Sequence, residues 1–206
     1  EAMAVRLTCT PLGHKGPMLP ASPGRIARSP DRAIGTTRLI AFEAPPLDDQ
    51  LLTGPRLSLV AAGGPGWRQA GLSYSLDDGA SWIALGMTAM PGLVGRLVSA
   101  VSGGGAALID RRGVLVVALA GDLADADRAA IDAGANLAWL GGELLQFGRA
   151  EPLGDGHWQL SILRRGLRGT EAMIGRAVPG DPIVLIDAPS VRVVAVPRAR
   201  AALLGR

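Results

Sequence analysis

The sequence predicts a mainly β fold made of antiparallel sandwich-like or barrel-like sheets, with one short helix near residues 125–133. Glycine (29 residues) and proline (15 residues) make up more than a fifth of the 206 residues, which favours short strands and tight turns over a helical bundle. The apolar segments are short and are separated by glycine-containing turns. The hydrophobic fraction of 48% is typical of a chain that folds around a core.

Composition excludes several kinds of site. The net charge is only +3, and Lys15 is the single lysine, in a context that lacks the Gly-Lys-Ser/Thr ending of a phosphate-binding loop. Cys9 is the single cysteine, so the sequence predicts neither an internal disulfide nor a Cys/His metal site. The longest apolar run, residues 114–120, is too short to cross a bilayer. We therefore expect no cofactor, no bound metal and no membrane insertion.

Residues 1–38 are interpreted as a connecting arm. Prolines interrupt this segment, arginines are scattered through it, and only residues 4–10 alternate as a strand does. A basic arm could bind nucleic acid, but no aromatic residue precedes Phe42 to stack on a base. The linker interpretation is favoured. The start at Glu1 suggests a piece of a longer polypeptide or a processed precursor.

Two strands and a hairpin are predicted in residues 39–88, a first β unit. Residues 38–42 and 57–61 have the apolar and β-branched content of strands. Residues 71–85 contain two apolar runs around a turn at residues 77–79, which is a strong hairpin pattern.

Within that hairpin, Ser75, Asp77, Gly79 and Trp82 are spaced as in the Asp-box motif of β-propeller sialidases and related β proteins. The resemblance implies a structural role, in which the aspartate closes the turn and the tryptophan packs beneath the hairpin. A propeller would need several copies, and the sequence contains one. A sugar-cleaving site would also need paired carboxylates, so a well-capped turn is the favoured interpretation.

A second β unit is predicted in residues 89–206, although residues 39–206 could equally form a single domain. Glycines 103–105 indicate a loop, followed by a strand at 106–109, a turn at 110–113 and a buried strand at 114–120. Further strands are predicted at 183–186 and 191–196, and the last residues, 199–206, suggest a short helix or a frayed end.

The one helix is predicted in residues 122–133, with Asp122 or Asp125 as its N-cap and Gly134 at its end. Asp122, Asp125 and Asp127 also suggest calcium, but the glycine and terminal glutamate of an EF-hand loop are absent. Carboxylates that favour a helix start are the preferred explanation.

Residues 136–171 predict an antiparallel meander with hairpin turns at Gly141-Gly142 and at residues 154–156. In the last run Trp158, Leu160 and Ile162 alternate with polar residues, so these three are expected to face the core. His157 is then expected on the solvated face.

Residues 39–171 resemble the C-terminal part of the large baseplate tail proteins of gene transfer agents and related siphophage-like tails, also described as host-specificity or "megatron" proteins. Two sequence blocks carry most of the resemblance, GGELLQF with Ala150 at 141–150 and LGDG at 153–156, continued by the arginine- and glycine-rich run at 160–171. Upstream, Gly66-Trp67-Arg68, Tyr74-Ser75, residues 78–82 and residues 134–136 fit the same pattern. The motif residues that the resemblance marks as structural are Glu143, Phe147, Arg165, Gly166, Arg168 and Gly169.

The resemblance implies a mechanical function with no catalytic residue. Such proteins form the tip of the tail, usually as trimers, and connect the tail tube to parts that meet the cell surface. It implies other tail and baseplate proteins as partners, a homotrimer in the intact parent, and a location in the tail of a virion or phage-like particle assembled in the bacterial cytoplasm. Two histidines and one cysteine leave little from which to build a catalytic triad.

Two other functions stay open on the sequence. A carbohydrate-binding module could recognise host-surface glycan with exposed Trp67, Trp82 or Trp158 as stacking platforms, although an aromatic content of 3% argues against an extended groove. A peptidoglycan hydrolase is the weaker idea, because no paired carboxylate or Cys/His arrangement supports it.

Overall fold

Eleven strands and one short α-helix make up the part of the chain that the structure, a computed structural model, describes: residues 35–47, 54–99 and 104–195. These residues belong to one compact unit, Ile34–Arg206. Most of the predicted arm, the predicted strand at 4–10, and residues 199–206 lie outside the described residues. The strands are β1 (Arg38–Phe42), β2 (Arg56–Ala62), β3 (Gly71–Tyr74), β4 (Ile83–Met87), β5 (Val94–Leu97), β6 (Asp110–Leu119), β7 (Leu137–Leu140), β8 (Glu143–Gly154), β9 (His157–Arg164), β10 (Pro182–Leu185) and β11 (Val191–Ala195).

Six antiparallel strands close into a barrel in the order β10-β5-β6-β9-β8-β7. The hairpins β7–β8 and β8–β9 connect neighbours through the predicted glycine turns, with Leu140 opposite Glu143 and Gly154 opposite His157. Pairing of β10 with both β5 and β7 closes the barrel, so no strand of this sheet has a free edge. The structure confirms a mainly β fold.

The barrel interior is filled by inward-facing apolar side chains from every strand. Leu145 and Phe147 of β8, two residues apart, are fully buried, as strand alternation requires. The interior cluster consists of Leu97, Leu115, Val117, Ala138, Leu140, Leu145, Phe147, Leu160, Leu163, Ala177 and Ile183.

A three-stranded sheet in the order β1-β2-β11 packs outside the barrel. Phe42 of β1 stacks on Trp139 of β7 with ring centroids 4.7 Å apart, and Val60 of β2 joins Val184 of β10 in a second apolar cluster. Strand β11 pairs with β2, with Val191 opposite Val60, so one sheet contains residues from both sides of the predicted unit boundary at residue 88. The three-part division of the chain stays a prediction.

The hairpin β3–β4 is the third sheet. It contacts the three-stranded sheet through Arg192 of β11, which donates hydrogen bonds to the backbone carbonyls of Leu85 and Met87. Residues Ile83 and Met87 of β4 are nevertheless exposed.

Two local predictions between residues 106 and 113 are wrong. Residues 106–109 form turns and bends, and β6 begins at Asp110. The predicted turn at 110–113 is a bulge within β6, where Asp110 accepts hydrogen bonds from the backbone N–H groups of Arg112 and Gly113. An aspartate followed by glycine is typical both of a turn and of a bulge, because in both its side chain accepts hydrogen bonds from backbone N–H groups two or three residues later.

The alternation predicted for β9 holds for Leu160 and fails at Ile162. Ile162 has φ 58° and is 39% exposed, and the next residue, Leu163, is fully buried instead. A left-handed residue inserted in the strand shifts the alternation by one position. This conformation is strained for a β-branched residue.

We expect Ile162→Asn to raise the free energy of unfolding by about 0.5–1 kcal/mol, because asparagine tolerates the left-handed conformation. Ile162→Val is the matched control, since valine keeps the branched Cβ and gains nothing. Chemical denaturation of both variants checks this. A loss of stability in Ile162→Asn equal to or greater than that of the control contradicts the expected strain.

The predicted helix is present as α1 (Arg128–Asp132), but its N-cap is Asp127, whose side chain accepts a hydrogen bond from Ala130 N at 2.8 Å. The prediction of Asp122 or Asp125 as the cap is wrong. Residues 122–127 are in neither a helix nor a strand, and the backbone N–H of Ala126 donates to the carbonyl of Gly148 in β8, so the helix begins later than its composition suggests.

Candidate functional site at the Glu143–Arg165 junction

Two of the residues that carry the family resemblance, Glu143 and Arg165, form a buried ion pair. Glu143 opens β8 directly after the turn Gly141-Gly142, and Arg165 follows the end of β9. Arg165 Nε donates to Glu143 Oε1 at 2.5 Å and Arg165 Nη2 donates to Glu143 Oε2 at 2.7 Å, so the pair is bidentate. Both residues are 1% exposed. Strand alternation places Glu143 on the same face as Leu145 and Phe147, so the pair closes one end of the barrel interior.

The loop after β9 wraps around this ion pair. Gly166 N donates to Glu143 Oε1 at 3.1 Å, and Thr170 Oγ1 accepts from Leu144 N at 3.0 Å. Thr170 also donates to the carbonyl of Leu167 at 2.8 Å. Two short 3₁₀ helices, Leu167–Gly169 and Glu171–Met173, are thereby held against the start of β8. We call Gly142, Glu143, Arg165, Gly166 and Thr170 the Glu143–Arg165 junction.

The glycines of the junction are required by close approach as well as by conformation. Gly142 has φ 95°, and a Cβ there would lie 2.6 Å from Met173 Cε. Gly166 has φ 61°, and a Cβ there would lie 2.8 Å from the backbone Cα of Glu171. Glycine is therefore the one residue type that fits both positions, because it tolerates a positive φ and has no Cβ to clash.

The other structural-motif residues lie near the junction without forming part of the ion pair. Phe147 is fully buried in the barrel interior. Arg168 has φ 55° and donates from Nη1 to the carbonyl of Pro46 at 2.9 Å, which connects the loop to the segment after β1. Gly169 has φ 87° with open space around it.

The junction is built to hold shape. Removing one member of a buried carboxylate–guanidinium pair is strongly destabilising, because the charge that remains loses its closest opposite charge in a buried place. The carboxylate of Glu143 faces Arg165 and Gly166, and its exposed fraction of 1% leaves no surface for a substrate. The arrangement can fix the geometry of the barrel end.

The second structural motif, the turn of the β3–β4 hairpin, is closed by Asp77. Its Oδ1 accepts from Ser81 N and from Ser75 Oγ, both at 2.8 Å, and its Oδ2 accepts from Ser81 Oγ at 2.6 Å. Gly79 N donates to Ser75 Oγ at 2.8 Å, and Gly79 takes φ 92°. These bonds, with those from Ser81 the strongest, lower the pKa of Asp77 to about 2.

The hairpin turn is expected to loosen in acid. Because the folded pKa of Asp77 lies below its ordinary value of 3.8, the unfolded turn binds the proton more tightly. The stabilisation is therefore complete above pH 3.8 and is lost as the pH falls toward about 2. Amide hydrogen exchange at Gly79 and Ser81 should rise across this window, and Asp77→Asn should abolish the pH dependence. Titration of Asp77 at its ordinary pKa would contradict this.

Trp82 differs from the expectation for an Asp-box, since its side chain is 66% exposed instead of packing beneath the hairpin. The hairpin has two strands, and Leu72 is the only buried residue within β3 and β4, so these two strands supply no apolar layer against which Trp82 could pack. Trp67 is buried, with Nε1 donating to Thr37 Oγ1 at 2.9 Å, and Trp158 packs against the barrel cluster. Of the three tryptophans considered as stacking platforms, the structure leaves Trp82 exposed.

Two of the three aspartates that suggested calcium have separate local roles. Asp127 caps α1, and Asp125 accepts from Ala150 N at 2.9 Å. Among residues 35–47, 54–99 and 104–195, no three histidine, cysteine, aspartate or glutamate side chains are grouped as metal ligands would be. In the same ranges no helix has the length and apolar content needed to cross a membrane.

Sequence reasoning missed two features of the sites. Thr170 is the hydrogen-bonding centre of the junction loop, and its position next to Gly169 within the resembling run was the available signal. The cluster of Arg111, Arg128 and Arg164 around one groove gave no signal, because these residues are far apart in sequence and meet through the barrel.

Comparison with known proteins gives one family match. Residues 92–184 match the family model described as "Rcc01698-like, C-terminal". The matched residues begin just before β5 and end within β10, so they span the barrel and the Glu143–Arg165 junction. No curated protein matches the chain. The family match therefore coincides with the barrel and leaves out β1 to β4 and β11.

Proposed function

We propose that this chain is a structural module of a phage-tail-like baseplate or tail-tip protein, of gene transfer agent or prophage type, that scaffolds tail assembly and host attachment. It works without a catalytic residue or cofactor, among other tail and baseplate proteins, as a homotrimer in the intact parent. Its place is the tail of a particle assembled in the bacterial cytoplasm.

One observation carries the proposal. Four of the residues that carry the tail-protein resemblance, Glu143, Arg165, Gly166 and Thr170, meet at the Glu143–Arg165 junction, where they are buried and held together by hydrogen bonds. Motif residues of an enzyme or a ligand-binding module are expected to converge on an accessible pocket. Motif residues of a scaffold are expected to hold the shape that other surfaces of the protein present.

The test uses the parent protein in the bacterium that encodes it. Particles are purified by density gradient, and an antibody against this chain is used for blotting and for immunogold electron microscopy. The expected result is co-sedimentation with tail proteins and gold label at the tail end distant from the head. A deletion strain should lack complete tails, and the wild-type gene should restore them. Complete tails in the deletion strain, or a chain absent from particles, would refute the proposal.

A carbohydrate-binding module is the second candidate, favoured by the 66% exposure of Trp82 at the β3–β4 hairpin. Glycan-array binding by the chain, abolished in Trp82→Ala and retained in Trp67→Phe, would support this function. Absence of binding to any host-surface glycan leaves the scaffold as the better account.

A further inference from the structure

A groove of about 580 Å³ on the barrel surface combines aliphatic walls with three guanidinium groups. It lies between the segment before β6, the end of β9 and helix α1. We call it the arginine groove, and its lining includes Leu108, Ile109, Arg111, Arg128, Arg164 and Leu167. A smaller adjoining cavity of about 250 Å³ shares Ile109 and the three arginines and extends to the strained Ile162.

The groove keeps an excess of positive charge. Arg164 pairs with Asp132, and the more exposed Arg128 reaches the same carboxylate at 3.9 Å. Arg111 has no hydrogen bond or ion pair with any residue that the structure describes. The other nearby carboxylates already accept hydrogen bonds, since Asp127 caps α1 and Asp110 accepts from the backbone N–H groups of Arg112 and Gly113. The groove lining itself contains three arginines and no carboxylate, and its apolar surface includes Leu108, which is 80% exposed.

The tip of the β3–β4 hairpin presents the complementary chemistry. Leu76 is 36% exposed and precedes the exposed pair Asp77 and Asp78. Both oxygens of Asp77 are used within the turn. The side chain of Asp78 has no partner within the described part of the chain. Asp78 lies in the turn between β3 and β4, with a left-handed φ of 52°. The tip is thus acidic and aliphatic, as the groove is basic and aliphatic.

We infer that the hairpin tip of one copy of this chain docks in the arginine groove of a second copy, with Asp78 facing Arg111 and Arg128 and Leu76 against Leu108 and Ile109. Tip and groove are different surfaces, so the contact is head-to-tail and generates a ring or an open chain of copies. A hairpin tip buries less area than a standard stable interface, so association is weak for the isolated chain. In a larger parent assembly, tethering would raise the effective concentration and strengthen it.

This inference goes beyond the proposed function, because it concerns the isolated chain and holds whatever assembly the parent belongs to. It also accounts for an exposed two-stranded hairpin, which is marginally stable on its own in water. A second copy is the favoured occupant because both halves of the contact are present in one sequence and complementary charges set orientation.

Sedimentation velocity of the whole chain over a concentration series tests the inference. The wild type is expected to associate reversibly, and more weakly at high salt because exposed charge pairs are screened. Asp78→Arg, and separately Arg111→Asp with Arg128→Asp, should each raise the dissociation constant at least about tenfold. A mixture of the two charge-reversed proteins should associate again, because each tip then meets a groove of opposite charge.

The matched control places the same charge change on exposed arginines outside the groove, Arg96→Asp with Arg176→Asp. This variant should associate within about threefold of wild type. Thermal unfolding of each variant checks that all are folded, and Asp78→Asn provides a milder tip variant that suits the left-handed conformation. A wild type that stays monomeric at millimolar concentration, no recovery on mixing, or an equal effect of the control would each overturn the inference. These outcomes are independent of whether the parent is found in tails.

Discussion

Glu143→Gln is expected to lower the free energy of unfolding by about 3–5 kcal/mol, the usual cost of breaking a buried ion pair by removing one of its charges. Glutamine has nearly the same shape, so the change removes the charge that faces the guanidinium of Arg165 and the N–H of Gly166. Equilibrium denaturation in guanidinium chloride measures the effect.

The control for this variant is Glu151→Gln on the same strand, where the side chain is exposed. Its expected effect is within about 0.5 kcal/mol. Glu143→Leu combined with Arg165→Met should be less destabilising than Glu143→Gln, because replacing both charges removes the desolvation cost that a lone charge suffers. A loss below about 1 kcal/mol in Glu143→Gln would contradict the role assigned to the ion pair.

Gly166→Ala is expected to destabilise the protein by about 2–5 kcal/mol, from a left-handed alanine and from overpacking in a closed space. The new Cβ would lie 2.8 Å from Glu171 Cα, a backbone atom that is held by the 3₁₀ helix Glu171–Met173. The loop after β9 would have to move away from Glu143, which would lose the hydrogen bond from Gly166 N.

Gly169→Ala separates the two contributions. Gly169 has φ 87° but no atom within 4 Å of an added Cβ, so its replacement by alanine should cost only the conformational part, about 1–2 kcal/mol. Thermal or chemical unfolding of both variants gives the comparison. Equal losses at the two glycines would show that close approach at Gly166 does not matter.

The elements that the sequence predicted correctly are those whose structure is decided locally. Strand β1 and the turns at Gly141-Gly142 and at residues 154–156 are confirmed, since a glycine pair between apolar runs fixes both ends of a hairpin. No sequence pattern predicted β5, which is four residues long and contains Gly95. Gly95 is required because the neighbouring strand β6 lies too close for a side chain: a Cβ at this position would be 2.5 Å from the carbonyl oxygen of Ala118.

The candidate site was predicted as a set of residues but not as an arrangement. The resemblance marked Glu143 and Arg165 as structural residues, yet their separation of 22 positions in the sequence hid their pairing. The exposure of Trp82 could not be predicted, because a motif spacing describes the turn and not what lies beneath it. The N-cap at Asp127 was missed because three nearby aspartates are equivalent by composition, and the contact of Ala126 with β8 selects one of them.

By itself the sequence determined a chain of short antiparallel strands, the position of most of its turns and the one short helix, because these depend on glycine placement and on alternation between neighbours. Only the tertiary structure decided that β10 closes a barrel by pairing with β7 and that β11 pairs with β2. It also placed Glu143 against Arg165 and collected three arginines in one groove. Such contacts join residues that are distant in sequence. They form where two surfaces can together bury apolar area and pair their charges, and this depends on the folded chain as a whole.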